Sequence, residues 1–233
     1  MTNNRGKGPR RMHSKYIPRL GRGIIAALAA IVTAHSLRYY ATLGGVWFGI
    51  DPNIKAVILQ APLQALTHML IAPVALLLGP LQFVPRLRAR HPTLHRYSGR
   101  VYVLACVLAG AGALATTPFA SGGEVAGLGF GILAVLWIGT TVAAWVSAVR
   151  ARFEWHRILM RFSYAMTFGA VVLRLQIPIG YALGYSSYSS MSPILSFTSW
   201  LPNVLIVALY STLEARRHPP RSASASRPAS RPS

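Results

Sequence analysis

The positively charged residues fall in alternate gaps between long apolar runs, and no other feature of the sequence restricts the fold as strongly. All but three of the 24 Lys and Arg residues lie within residues 5–22, 86–100, 150–161 and 216–231. Basic segments that flank membrane helices stay on the cytoplasmic side. The pattern therefore predicts a multi-pass membrane protein with both termini in the cytoplasm and an even number of crossings.

Apolar runs long enough to cross a bilayer occur six times along the chain. A helix needs about 20 mostly apolar residues to cross a hydrocarbon core of roughly 30 Å. The qualifying stretches are approximately residues 22–43, 61–84, 101–118, 125–149, 157–180 and 193–213. The sequence therefore predicts an all-α fold, a polytopic bundle of six transmembrane helices. Its outward connections are residues 44–60, 119–124 and 181–192.

The composition agrees with a bilayer as the main solvent of the chain. Hydrophobic residues make up 53% of the sequence and charged residues only 12%, which leaves too little polar surface for a soluble domain. The predicted organisation is a basic cytoplasmic tail at 1–21, a membrane domain at 22–214 and a disordered Arg/Pro/Ser-rich cytoplasmic tail at 215–233. That last tail is expected to be disordered because it has no apolar residues to bury.

The formal net charge of +20 raises the alternative of nucleic-acid binding. The basic residues are divided among segments that flank the membrane and are not gathered on one folded face, so no nucleic-acid partner is expected. The predicted partners are the lipid bilayer and its anionic headgroups.

Two further features concern the helices themselves. Val32-Thr33-Ala34 loosely resembles a signal-peptidase site, and cleavage after Ala34 would leave five crossings, so this alternative stays open. Small residues recur in the third predicted helix, at Ala105, Ala109 and Gly112. Small residues at this spacing let helix backbones approach closely in a membrane.

Ionisable residues inside the apolar runs are the first candidates for a functional site, because they are costly in a membrane. At 1.5 Å per residue, His68, Arg174 and His35 lie about 9–12 Å below the outer ends of their helices. The sequence has four acidic residues, none expected in the membrane core: Asp51, Glu124, Glu154 and Glu214. Arg174 therefore needs a backbone carbonyl, a hydroxyl, a histidine or an anionic ligand as its partner. Arg38 is expected to snorkel toward the interface.

A second layer of candidates lies at the predicted cytoplasmic boundary, where two motifs share the pattern His-Arg-x-x-x-Arg. Their members are His95, Arg96 and Arg100 before and in the third helix, and His156, Arg157 and Arg161 at the start of the fifth. Two histidines at one depth on neighbouring helices can hold a haem b iron, and arginines can bind its propionates. His95 with His156 is the best such pair by depth, and His68 with His35 is the next. The alternative is that His95 and His156 only face lipid headgroups.

These residues belong to a longer pattern that resembles a bacterial membrane-protein family, domain of unknown function 2306 (DUF2306). The motifs that carry the resemblance are His68, Gly79-Pro80-Leu81-Gln82-Phe83, Leu94-His95-Arg96, Gly99-Arg100-Val101-Tyr102, Gly122-Gly123, Gly129-Phe130, Leu136-Trp137, His156-Arg157, Met160-Arg161 and Leu173-Arg174-Leu175. They cover roughly residues 60–180, and one departure is Leu159, where the family usually has Trp. The resemblance implies a multi-pass protein of the bacterial inner membrane. The activity of that family is not established, so no reaction follows.

Functions of different classes stay open from the sequence. The first is a non-redox transporter or binding module for an anionic small molecule or lipid, with Arg174 and His68 in an intramembrane site. The alternative is a haem b electron-transfer protein with bis-histidine ligation. In that alternative the iron ligands come from His95, His156 and His68, and the propionates meet Arg96, Arg100, Arg161 or Arg174. A membrane assembly or scaffold role is a further alternative.

Other chemistries lack their sequence motifs, and no catalytic residue is assigned. The sequence has no Gly-x-Gly-x-x-Gly after a strand, no Walker loop, no His-Glu-x-x-His and no serine elbow. His91 and His95 have helical spacing, but Pro92 lies between them in a predicted loop. This argues against a zinc site there.

Overall fold

The structure is a computed structural model that describes residues 17–217, with side chains described from residue 21 onward. Within that range the chain is helical and has no strand, which confirms the all-α prediction. The α-helices are α1 (Ile17–Ser36), α2 (Arg38–Ala41), α3 (Pro52–Gln60), α4 (Pro62–Gln82), α5 (Pro85–Arg90), α6 (Pro92–Ala115), α7 (Gly123–Val149), α8 (Phe153–Ala182), α9 (Tyr188–Thr198) and α10 (Leu201–Arg217). Of the predicted disordered tail, residues 215–217 end α10 and the rest lies outside the described residues.

Six segments are long and apolar enough to cross a membrane, which confirms the predicted number by length and composition. They are Gly21–Gly44, Pro62–Gln82, Pro92–Ala115, Gly123–Val149, Phe153–Ala182 and Tyr188–Arg217. Which side each end faces stays a prediction from the basic residues, and "outer" and "inner" below refer to that prediction.

The third and fifth spans begin earlier than the apolar pattern indicated. Pro92 is the first residue of α6 and not part of a loop, and the backbone N–H of His95 donates to the His91 carbonyl at 3.1 Å. Proline suits the first helical position because its missing N–H would be unpaired there anyway. The prediction that His95 and Arg96 precede the helix was therefore wrong. The apolar pattern missed these turns because they carry polar side chains.

The sixth span is divided into two helices, α9 and α10, with a break at Ser199 and Trp200. Pro202 has no N–H to donate to the carbonyl of Thr198, so the helical ladder is interrupted there. The freed carbonyl accepts a hydrogen bond from Nε2 of Gln176 on α8, at 3.3 Å. A side chain of a neighbouring helix thus replaces the missing backbone bond.

The predicted outward connection at 44–60 contains a helix, α3, which packs on the outer end of the bundle. Asp51 begins this helix by accepting a hydrogen bond from the backbone N–H of Asn53 at 2.8 Å. Ile58 packs with Tyr39, and Ile54 reaches both that cluster and the one around Tyr188. The outer end of the bundle is therefore covered by apolar contacts of α3.

The predicted small-residue packing is realised between α4 and α6. Ala105, Ala109 and Gly112 are buried. A Cβ on Gly112 would lie 2.7 Å from the carbonyl oxygen of Gln64 and 2.9 Å from the backbone nitrogen of His68. The two helices therefore cross in direct backbone contact, and this crossing fixes the height of His68 in the bundle.

Candidate functional site

Four basic side chains meet in the outer half of the bundle, and we call them the outer cluster. They are His35 of α1, Arg38 of α2, His68 of α4 and Arg174 of α8. His35, Arg38 and His68 each lie close enough to Arg174 to interact with its charge. The shared depth expected for His35, His68 and Arg174 thus corresponds to a shared place, and Arg38 joins them there.

Arg174 is held by neutral acceptors only. Its Nη1 donates to the carbonyl of Ala170 at 2.9 Å, and its Nη2 donates to the hydroxyl of Ser36 at 3.3 Å. That hydroxyl donates in turn to the carbonyl of Val32 at 2.8 Å, so it is oriented to accept from Arg174. Among residues 17–217, neither Arg174 nor Arg38 forms an ion pair with a carboxylate.

Arg38 reaches toward the outer turn that precedes α3. Its Nη1 lies 3.8 Å from the place that a Cβ on Gly49 would occupy, and Gly49 has a positive φ of 68°. The guanidinium carbon lies 5.3 Å from the ring centroid of Tyr39. The Nε atom is buried and has no hydrogen-bond partner among the described residues. A donor of the outer cluster is therefore left without an acceptor.

His68 uses one ring nitrogen, Nδ1, for a hydrogen bond within the bundle. Its Nδ1 lies 3.0 Å from the carbonyl oxygen of Ala109, and because a carbonyl only accepts, Nδ1 carries the proton in this bond. The Nε2 atom of neutral His68 is then an acceptor. The ring is thus oriented by α6 while it lies within range of the charge of Arg174.

Two buried tyrosines complete the outer cluster, and the sequence analysis assigned neither to the site. Tyr39 and Tyr188 both lie close enough to Arg174 to interact with its charge, and both side chains are buried. Tyr39 follows Arg38 directly, which is a usable signal. Nothing in the sequence places Tyr188 beside Arg174, because the two are joined only through the fold.

His95 and His156 form a second site, which we call the inner pair. They lie close enough for their charges to interact, and each is the fourth residue of its helix, α6 or α8. Nδ1 of His156 lies 2.9 Å from the carbonyl oxygen of Ala144, so Nδ1 donates and Nε2 is free. Nδ1 of His95 is buried and has no hydrogen-bond partner within residues 17–217.

The arginines predicted beside the inner pair have other surroundings. Arg161 forms an ion pair with Glu214 of α10 through both of its terminal nitrogens. Nε of Arg96 donates to the carbonyl of Pro92, in its own helix, at 3.4 Å. Arg96 and Arg100 are exposed. The arginine whose charge acts on His95 is Arg88 of α5, which the sequence analysis did not select.

A buried hydroxyl network lies at the centre of the bundle and escaped the sequence analysis. The hydroxyl of Tyr102 lies 2.8 Å from Oγ of Ser163 and 3.1 Å from Oγ1 of Thr167. Ser163 also bonds to Thr141 at 2.6 Å, and Nε1 of Trp137 donates to Thr167 at 2.9 Å. The network joins α6, α7 and α8, and each of these hydroxyls has a partner. These hydrogen bonds hold together the helices that carry the inner pair and Arg174.

Comparison with known proteins identifies the family. The family model described as predicted membrane protein (DUF2306) matches residues 65–211. No curated protein and no solved structure matches the chain. The matched region is more than half of the chain and contains His68, Arg174 and the inner pair, whereas His35 and Arg38 precede it. The chain belongs to the DUF2306 family.

Proposed function

We propose that this member of the DUF2306 family binds an anionic small molecule or lipid in the outer cluster, as a transporter or binding module of the bacterial inner membrane. One observation carries the proposal. Arg174 donates to the hydroxyl of Ser36, two residues before Arg38 in the chain, so the two guanidiniums lie within range of each other's charge. Neither has a carboxylate partner among residues 17–217.

Two cations in this position repel each other unless something compensates. As a general scale, two unit charges about 8 Å apart repel by roughly 2 kcal/mol at an effective dielectric constant of about 20. An anion between them adds two attractions that outweigh this repulsion. It also accepts charge-assisted hydrogen bonds, which are about twice as strong as neutral ones. The unpartnered Nε of Arg38 supplies one such donor.

The surrounding groups favour an anion over a cation or a neutral ligand. Arg174 uses a carbonyl and a hydroxyl to orient its guanidinium, so its charge is not cancelled locally. His35 is exposed at the edge of the cluster and offers a ring nitrogen there. Intramembrane charges that have no structural partner commonly mark a ligand site.

The test is anion-dependent thermal stability of the purified protein in mild detergent. We expect an added carboxylate, a phosphate or an anionic phospholipid to raise the unfolding temperature of the wild type and not that of Arg174→Gln. The matched control is Arg157→Gln, an exposed arginine of the inner side, which should respond as the wild type does. Equal responses of all three proteins would refute the site.

A second candidate, haem b ligation by the inner pair, is favoured by the hydrogen bonding of His156. Donation of Nδ1–H to the Ala144 carbonyl leaves Nε2 as the nitrogen that can bind a metal, the usual arrangement of a ligating histidine. His95 and His156 would hold the iron, and the haem would supply one-electron chemistry.

The visible spectrum tests this second candidate separately. Protein purified from haem-replete cells should show a Soret band, with α and β bands that sharpen on reduction by dithionite. His156→Ala should abolish those bands while the protein still inserts into the membrane. A colourless wild-type protein would exclude haem and leave the proposal for the outer cluster unchanged.

A further inference from the structure

We infer that the anion of the outer cluster is the phosphate headgroup of an anionic phospholipid that reaches the cluster sideways from the outer leaflet. This inference rests on the proposed function and adds the source of the anion and its route. It follows from the difference between the two approaches to the cluster, one from water and one from lipid.

The approach from water over Tyr39 and Tyr188 is covered by the apolar packing of α3. Ile54 of α3 packs against the cluster around Tyr188 and also against the one around Tyr39. Ile58 is buried on the same helix. Asp51, the acidic residue at this end, is occupied as the cap of α3, where it accepts from both nitrogens of Asn53 at 2.8 and 3.1 Å. A soluble ion that enters over Tyr39 and Tyr188 would have to displace α3.

The approach from lipid is open at the first span. His35 is exposed although it lies within range of the charges of Arg38 and Arg174. The helix tightens at Leu37, between α1 and α2, where the backbone N–H donates to the carbonyl of Ala34 at 3.1 Å, and Leu37 is itself exposed. The outer cluster therefore extends to a surface that faces the bilayer, next to this tightened turn.

The segment beside this opening carries side chains that suit acyl chains. Phe48 is 90% exposed, Leu43 64% and Val46 53%. Apolar surface costs about 25 cal/mol per Å² in water, so these residues are best accommodated in the membrane interface. Lys55 lies over the ring of Trp47, with its Nζ 5.1 Å from the ring centroid, and adds a basic group at the same level. A lipid here has surfaces for both its tails and its headgroup.

The chemistry of the cluster fits a phosphodiester. A phosphodiester has two acceptor oxygens that share one negative charge, and guanidinium groups bind such oxygens in pairs. Arg38 and Arg174 supply two guanidiniums that lie within range of each other's charge. A zwitterionic headgroup would bring its own cation into this cluster, so an anionic lipid is preferred.

The experiment compares nanodiscs of phosphatidylcholine with and without phosphatidylglycerol, and measures the unfolding temperature of the protein in each. At about a hundredfold excess of lipid over its Kd, the wild type should be stabilised by roughly 5–10 °C. The double variant Arg38→Gln/Arg174→Gln should lose most of this shift. The control Arg216→Gln/Arg217→Gln, which removes two exposed basic residues of α10, should keep it. Equal shifts in both double variants would overturn the inference, because they would indicate general attraction to charged lipid.

Two further arms separate this inference from the proposed function. Soluble glycerol phosphate, added to discs without phosphatidylglycerol, should not stabilise the wild type. If it stabilises the wild type as well as the lipid does, the source is a soluble anion, and only the lipid inference fails. If neither stabilises it, the lipid inference fails, and the proposed function fails with it when added carboxylate has no effect either. Should the double variant not fold, the single variant Arg38→Gln replaces it, and it should reduce the shift because it removes one of the two guanidiniums.

Discussion

Replacing Tyr102 with Phe should destabilise the bundle by a small and defined amount. Tyr102 is completely buried, and its hydroxyl makes hydrogen bonds of 2.8 Å to Ser163 and 3.1 Å to Thr167. Phenylalanine keeps the ring and most of the volume, so the packing of α6 against α7 and α8 is preserved. The substitution therefore isolates the contribution of the two hydrogen bonds.

The size of the destabilisation depends on which hydrogen bonds Ser163 and Thr167 keep in the Tyr102→Phe variant. Ser163 retains its bond to Thr141 at 2.6 Å, and Thr167 retains its bond from Trp137 at 2.9 Å. No buried group is left unpaired, so the larger penalty for an unsatisfied donor does not apply. Hydrogen bonds between membrane helices average about 0.6 kcal/mol. Two of them give a loss of roughly 1 kcal/mol, or about 2–4 °C in unfolding temperature for a protein of this size.

The assay is thermal unfolding in mild detergent, with Tyr97→Phe as the matched control. Tyr97 lies on the same helix and is 67% exposed, so its substitution should leave the unfolding temperature unchanged. Adding Ser163→Ala to Tyr102→Phe completes a double-mutant cycle, which should give a coupling of about 0.6 kcal/mol. A Tyr102→Phe variant as stable as the control would show that the hydrogen bonds of Tyr102 do not stabilise the bundle.

Two other substitutions test the packing that positions the site. Gly112→Ala should destabilise the protein, because the new Cβ would lie 2.7 Å from the carbonyl of Gln64. This should outweigh the helix propensity of alanine, which exceeds that of glycine by about 1 kcal/mol. Gly139→Ala places its Cβ where nothing lies within 4 Å, so it should be neutral or stabilising in the same unfolding assay. Gln176→Met should lower stability by about 1–3 kcal/mol because it leaves the carbonyl of Thr198 without its donor, and an unchanged unfolding temperature would show that this bond contributes nothing.

The sequence was sufficient to predict the number of spans, because hydrophobic length is a local property that each helix carries by itself. The same reliance on hydrophobic length misplaced the starts of α6 and α8. Their first turns are polar, so an apolar window excludes them although Pro92 is a favourable helix start. The break before Pro202 was also missed, since proline alone does not tell whether a neighbouring side chain will take over the freed carbonyl.

The position of a residue along its helix predicts its depth in the membrane, and it correctly put His68 and Arg174 in one layer. It does not predict how each helix is rotated about its own axis. The roles of Ser36 and Tyr188 depend on which faces α1, α8 and α9 present to one another. That is decided by tertiary packing such as the close crossing at Gly112. The hydroxyl network was missed for the same reason, because Tyr102 and Thr141 belong to different helices and share no sequence pattern.

The region matched by the family model contains only part of the outer cluster. The matched region begins at residue 65, so it includes His68 and Arg174 but not Arg38. The second guanidinium of the cluster is thus supplied by a span outside the matched region. We expect Arg38→Gln to weaken anion binding and Arg174→Gln to abolish it, since Arg174 is oriented by two hydrogen bonds.

Native mass spectrometry of the purified protein in a gentle detergent tests the central claim, which is that the outer cluster binds an anion. The wild type and Arg157→Gln should each retain a bound anionic phospholipid, and Arg174→Gln should lose it while remaining folded. Equal lipid occupancy in the three proteins, or no bound anion on the wild type even after addition of phosphatidylglycerol, would contradict the account.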